Sequence, residues 1–216
     1  MTFWNTILEA VFPSRCLGCK APGIDLCRKC LASFPEPERE NKNWVFSLFD
    51  YRHPGVKKTI WLLKYKSKKR LAEVLGEILY EKILVELADL VQFENFQNPL
   101  LIPIPLSRER YRSRGFNQSE ILCEKIFMFD TNQNLRIENK VLVKTRSTEQ
   151  QAHIKNRKER LENLSGSFMV KNKEKIKGRN LILIDDVTTT GATLEEARKV
   201  LRSSGARKII AFTVAH

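Results

Sequence analysis

Residues 181–194 read LILIDDVTTTGATL: four apolar residues, two aspartates, then a threonine-rich loop around one glycine. An apolar run without polar alternation predicts a strand buried on both faces, as in the middle of a parallel sheet. Ligands of open parallel sheets bind beyond the carboxyl ends of the strands, where Asp185 and Asp186 stand. The loop leads directly into TLEEARKVLRSSG, which has helical spacing and closes at Gly205. Such a loop presents backbone N–H groups and hydroxyls at a helix N-terminus, where the helix dipole favours phosphate. Gly191 permits close backbone approach. The aspartates, one loop away, suit sugar hydroxyls or a magnesium ion. The stretch therefore predicts a sugar 5-phosphate site, with Asp185 and Asp186 on the diol. Thr188, Thr189, Thr190, Gly191, Ala192 and Thr193 would surround the phosphate. The plainer alternative is a buried strand ending in an acid pair, with threonines that only cap the helix.

Outward from this stretch, strands and helices alternate. KIIAFTVA (208–215) reads as the last strand, NWVFSLFDYR (43–52) as an aromatic one broken by HPG (53–55), and LLIPIPL (100–106) as a short buried one. VKKTIWLLKYK (56–66) and KRLAEVLGEILYEKILVELADLVQF (69–93) carry apolar residues at i, i+3, i+4 and i+7, as does SEILCEKIFMF (119–129), so all three predict helices. KVLVKT (140–145) and SFMV (167–170) read as strands, and RKERLENL (157–164) as a short basic helix. This alternation implies an α/β domain with a mostly parallel sheet.

The first 40 residues differ. They hold four of the five cysteines and run into the Pro- and charge-rich linker ASFPEPERENKN (32–43). A small module at 1–40 is expected, with the main domain at 41–216. Cys16, Cys19, Cys27 and Cys30 form C-x2-C-x7-C-x2-C, and thiolates on two tight knuckles converge on one tetrahedral ion. Structural zinc is the expected occupant, with two disulfides or an iron–sulfur cluster as alternatives. Cys123 falls on the apolar side of a helix and reads as core. The N-terminal MTFWNTILEAVF (1–12) reads as a short amphipathic helix rather than a secretory signal, since it lacks a basic leader and carries Glu9. NPLLIPIPL (98–106) is too short and kinked to cross a bilayer, and the expected location is cytoplasmic.

Charge adds a second clue. The 216 residues carry 38 Lys/Arg against 25 Asp/Glu, a net +13. Residues 50–70 alone hold eight basic residues and one acid, and RERYRSR (108–114) is a dense arginine patch. Such patches attract phosphate groups, on nucleic acid or on a small ligand, unless they are simply a solvated surface. Arg108, Arg110, Arg112 and Arg114 interleave with Tyr111 and Phe116, and Lys64 and Lys66 flank Tyr65. Aromatic stacking between cations is how single strands are held without sequence preference. No P-loop stretch and no nucleophile-elbow serine is present, and His53, His153 and His216 lack partners at metal or triad spacing.

DDVTTTGAT (185–193) closely resembles the PRPP-binding motif of type I phosphoribosyltransferases, which use magnesium to displace pyrophosphate from 5-phosphoribosyl-1-pyrophosphate (PRPP). Asp185 and Asp186 match its acidic pair; Thr189, Thr190, Gly191 and Thr193 match its phosphate loop. FDYR (49–52), LLKYK (62–66), PIPLSRERYRSRGFNQSEILCEKI (103–126) and RKERLENLSGSF (157–168) are in turn similar to the ComF family of competence-associated proteins. The four-cysteine head before such a domain matches that family's arrangement. The segment STEQQAHIKNRKER (147–160) matches only loosely, so no role passes to Gln150 or Gln151. The resemblance implies a type I phosphoribosyltransferase fold with a zinc-binding head and a role in natural transformation, where single-stranded DNA is handled in the cytoplasm. It places the arginines on a loop that is mobile and catalytic in type I enzymes. Asp185, Asp186, Arg110 and Arg114 are then the candidate catalytic residues. Lys64, Lys66, Arg108, Arg110, Arg112, Arg114 and Arg157 are the candidate DNA contacts, and a competence-machinery protein is an implied partner. The alternative function is a silent sensor of PRPP or a nucleotide that binds a partner protein through the zinc module.

Overall fold

The computed structural model describes residues 14–38, 42–65, 69–145 and 166–216. The helices expected at 1–12 and 157–164 lie outside these residues. The described chain begins with the cysteine knuckles and a single turn, α1 (Arg28–Leu31), followed by β1 (Val45–Phe49). Pro54 opens α2 (Pro54–Tyr65), where its fixed φ suits the first helical position and its missing N–H costs nothing. Next come α3 (Lys69–Glu94), β2 (Leu100–Pro103), α4 (Arg108–Arg114), α5 (Gln118–Phe129) and β3 (Arg136–Ile137). β4 (Leu142–Lys144), β5 (Phe168–Val170), a 3-10 turn at Lys173–Lys175, β6 (Leu181–Val187), α6 (Ala192–Ser203) and β7 (Ile209–Ala215) complete the order.

Five strands form one sheet in the order β1-β7-β6-β2-β3, and every neighbouring pair is parallel. Successive residues of β6 face opposite sides of the sheet. Ile182 and Ile184 join a core beneath α2, α3 and α5, whereas Leu181 and Leu183 join a second core beneath α6. Helices thus cover both faces, which is why LILI reads as uninterrupted hydrophobicity. α2 turns Val56, Thr59, Ile60 and Leu63 inward. α3 buries Leu71, Leu75, Leu79 and Ile83 at four-residue steps. Gly76 lets α3 approach α5 closely, since any Cβ there would collide with Lys125.

Three features depart from the sequence reading. The strands at 142–144 and 168–170 leave the main sheet and pair antiparallel as a small hood packed on α6. The arginine patch is a helix rather than a loop. Ser107 caps it by accepting the Arg110 N–H at 3.2 Å, and Gly115, at φ 79°, ends it. The two-residue strand β3 lies in a stretch too polar to show a period.

The cysteine head sits on the body rather than beside it. Cys16, Leu26 and Leu31 belong to the same buried cluster as Leu75, Ile184 and Phe212. Phe34 meets Phe49 edge-on at 5.5 Å, and Arg28 reaches Glu77 and Glu81 of α3 at 2.6 and 2.9 Å. Cys123 is fully buried, as its helical phase implies. No helix among the described residues is long and apolar enough to cross a membrane.

Candidate functional site

Strand order reverses between β2 and β6, so the connections leaving their carboxyl ends diverge and open a crevice at the sheet's switch point. β6 continues through both aspartates to Val187, which places them at the carboxyl end of the strand. Asp186 is buried and faces α2: Lys64 Nζ lies 3.3 Å from Oδ2, an ion-pair distance without hydrogen-bond alignment. Asp185 is half-buried, and its Oδ1 accepts from Ser119 Oγ (3.1 Å) and from the Asp186 N–H (2.9 Å). Burial first, then the charge of Asp186, push the Asp185 carboxyl up to about 7 from an ordinary 3.8. Two acids held this closely suit a ligand that brings hydroxyl donors or a cation.

The loop after β6 builds the second half of the site. Gly191 takes a left-handed φ of 71° and has no side chain to cap α6. The start of α6 is therefore open to an anion. Thr190 Oγ1 lies 3.4 Å from the Ala192 N–H, Ala192 is buried, and Thr193 is half-buried beside it. Thr188 stands apart from the cradle. It is buried, and its N–H donates to Ala215 C=O at 2.9 Å, extending the strand. Thr189 is exposed at the loop tip.

The helical period of α4 divides the arginines, because residues four apart share a face. Arg110 and Arg114 line a cleft with Lys64, Trp61 and Tyr65, while Arg108 and Arg112 line a hollow under the hood with Glu109 and Glu120. Arg114 donates to Gln118 Oε1 at 3.0 Å, and its guanidinium sits 5.2 Å from the centre of the Tyr65 ring. The four arginines thus fall on two faces of α4. Lys64, read from the sequence as a DNA contact, pairs with Asp186. Lys66 and Arg157 lie outside the described residues.

Three residues escaped the sequence reading. Ser119 orients Asp185. Lys144, on the hood, feels both sides of the site: burial lowers its pKa, Arg110 adds to that, and Asp185 opposes it. Lys42 pairs with Glu195 of α6, and a Cβ at Gly191 would stand 3.9 Å from its side chain. Short-range pattern marks none of them, because each reaches the site from a distant element.

The four cysteines of the head are free thiols whose sulfurs all lie within 4.8 Å of one another. Cys27 Sγ is 3.7 Å from both Cys16 Sγ and Cys19 Sγ. Burial raises the Cys16 thiol, but N–H donors led by Cys27 outweigh it and bring it to about 6. Side-chain contact with Cys27, then burial, push Cys30 up to about 12. Gly18 keeps the knuckle tight, since a Cβ there would stand 2.6 Å from Cys30 Sγ. The group can hold one metal ion.

Comparison with known proteins agrees with this architecture. Residues 128–216 match the phosphoribosyl transferase domain. The DNA utilization protein YhgH of Escherichia coli is 29% identical over 184 residues, covering 85% of this chain and 74% of that protein. Competence protein ComFC of Bacillus subtilis is 37% identical over 116 residues, covering 53% of this chain and 43% of the relative. Among solved structures, the glutamine PRPP amidotransferase of B. subtilis aligns with a TM-score of 0.43 at 13% identity, over 71% of this chain and 30% of that one. The fold assignment rests on the matched domain and on the parallel sheet with its switch-point crevice. With the four-cysteine cluster and the relatives named for competence, the chain is similar to ComF-type proteins: a type I phosphoribosyltransferase fold behind a four-cysteine head.

Proposed function

We propose that the crevice binds PRPP together with magnesium, and that the protein serves natural transformation by handling single-stranded DNA in the cytoplasm. The observation that carries the first part is the acid pair at the end of the central strand, followed at once by an uncapped helix start. Asp185 and Asp186 would hold the ribose diol, and residues 189–193 the 5-phosphate. Lys144, close enough to feel Asp185, suits the pyrophosphate. Magnesium, when bound, neutralises pyrophosphate charge and makes it a better leaving group; carboxylate oxygens and phosphate are its usual ligands. In a transfer reaction, an acceptor nitrogen would form the new bond to the anomeric carbon. Pyrophosphate would leave with the bonding electrons, and the acceptor's proton would pass to a base. The transition state is cation-like, so carboxylates near the ribose stabilise it electrostatically. Calorimetric titration with PRPP, with and without magnesium, tests the reading. Magnesium-dependent binding that Asp185→Asn with Asp186→Asn abolishes is expected, and unchanged affinity in that double variant would overturn it.

The head is read as a structural zinc site. Zinc–sulfur bonds near 2.3 Å in a tetrahedron put sulfurs about 3.8 Å apart, close to the 3.7 Å found here. A multi-iron cluster has to fit its own core between the sulfurs and needs wider spacing. Four protein ligands leave no open position, so the ion would fold the head rather than react. One observation favours the alternative of a partner-binding regulator. A groove of about 490 Å³ runs between the head and the edge strand β1, lined by Phe34, Phe46 and Phe49. The DNA part of the proposal draws on the charge of +13 and on relatives named for competence and DNA utilization.

A further inference from the structure

α2 buries one stripe, Val56, Thr59, Ile60 and Leu63, and leaves the opposite stripe bare. On that bare side Trp61 is 49% and Tyr65 52% exposed, with ring centres 5.8 Å apart. The two rings thus stand side by side as one apolar surface facing water. Here they form one wall of a cleft of about 830 Å³, a volume within the range of ligand sites. The opposite wall is α4, which contributes Arg110 and Arg114, and exposed Lys57 and Lys58 stand at the rim. Arg114 lies over the Tyr65 ring, fixing it from one side and adding a cation to its face. Among the described residues no Asp or Glu lines this cleft, whereas the hollow holding Arg108 and Arg112 contains both Glu109 and Glu120. The field that attracts a polyanion is therefore concentrated on the Trp61 side.

We infer that single-stranded nucleic acid binds in the cleft between α2 and α4, with unpaired bases stacked on Trp61 and Tyr65 and backbone phosphates on Lys57, Lys58 and Arg110. The inference rests on the single-strand part of the proposed function and locates it. Flat exposed rings flanked by cations match the chemistry of an unstacked strand. A duplex hides its base faces from such rings. An acidic peptide would use the cations and leave the rings idle. The strand would lie on the Arg110–Arg114 face of α4, and Arg108 and Arg112 would contribute only at long range.

The test uses the full zinc-loaded chain and a fluorescently labelled 15-nucleotide oligothymidine. Trp61→Ala with Tyr65→Ala should weaken binding at least about tenfold, given the usual worth of base–aromatic stacking. The same variant should keep its melting temperature and its PRPP titration. Tryptophan fluorescence should be quenched by the oligonucleotide in the wild-type protein, and Trp61→Phe should remove that quenching while retaining most of the affinity. Arg108→Ala with Arg112→Ala should change affinity less than twofold at 150 mM salt. If this second pair abolishes binding and the aromatic pair does not, the strand lies under the hood: the cleft is wrong and the DNA reading stands. If the wild-type chain binds no oligothymidine at low salt, both fall. Equal loss with a polyglutamate probe would replace the strand by an acidic peptide.

Discussion

The acid pair and the aromatic cleft share Lys64 and are otherwise built in opposite ways. The acid pair is made of strand: Asp185 and Asp186 are fixed by the register of β6 between β2 and β7, and their oxygens are engaged by Ser119, Asp186 N–H and Lys64 before any ligand arrives. The cleft is made of helix surface: Trp61, Tyr65, Lys57 and Lys58 project from α2 toward water. The first is rigid and costly, with two carboxylates crowded in a half-buried crevice. The second is open and positive. A site for one small, densely charged molecule needs the former; a surface for a long, sequence-indifferent polymer needs the latter.

The contrast can be broken by experiment. The largest expected effect is on the acid pair. Asp185→Asn with Asp186→Asn should lower PRPP affinity at least about a hundredfold while oligothymidine affinity stays level or rises, because two negative charges leave the neighbourhood. Loss of both ligands in calorimetry would show that the two regions are one site. Removing the metal of the head comes next. Because Cys16, Leu26 and Leu31 share a core with Leu75 and Phe212, chelation should lower the melting temperature of the whole chain in a single transition. A separate low-temperature transition with an unmoved main peak would instead mark the head as an independent unit.

Strand binding should respond to salt where PRPP binding responds little. Releasing counterions from several phosphates makes log K fall linearly with log salt, and Arg110→Ala with Arg114→Ala should flatten that slope. A flat slope in the wild-type protein would remove the cleft from consideration as a polyanion surface. The smallest effect is on stability. Asp185 titrates near 7 in the folded chain and near 3.8 when unfolded. Between these values the folded state binds the extra proton, so stability falls as pH rises from about 4 to 7. Asp185→Asn should therefore raise the melting temperature at pH 8 and leave it nearly unchanged at pH 4. A stabilisation that is equal at both pH values would mean that the carboxyl is not held in its acid form.

The two regions also differ in how far they can be read before folding. The acid pair was legible because LILI, DD and TTTGAT are contiguous, and each requirement of the site falls on neighbouring residues. The cysteine spacing was legible for the same reason. The cleft was half legible. Tyr65 between lysines stood out, but Trp61 did not, although its position four residues before Tyr65 and opposite the stripe Val56, Ile60 and Leu63 places it on the bare face. The row of alternate Arg residues reads as one patch, and only the helical twist of α4 divides it between two faces. Ser119, Lys144 and Lys42 could not be read at all, since their roles depend on long-range pairings of α5, the hood and the β1 approach with β6 and α6.

Lys64 gives the arrangement a further property. One ammonium group, on the last turn of α2, faces a buried carboxylate and also lines the cleft. A cation shared by two neighbourhoods makes them thermodynamically dependent: whatever satisfies Asp186 from the crevice releases Lys64 toward a phosphate in the cleft. Reciprocity then requires the strand to improve occupancy of the crevice by the same factor. A single side chain can in this way make possession of the small metabolite and grip on the polymer rise and fall together, with no change of fold.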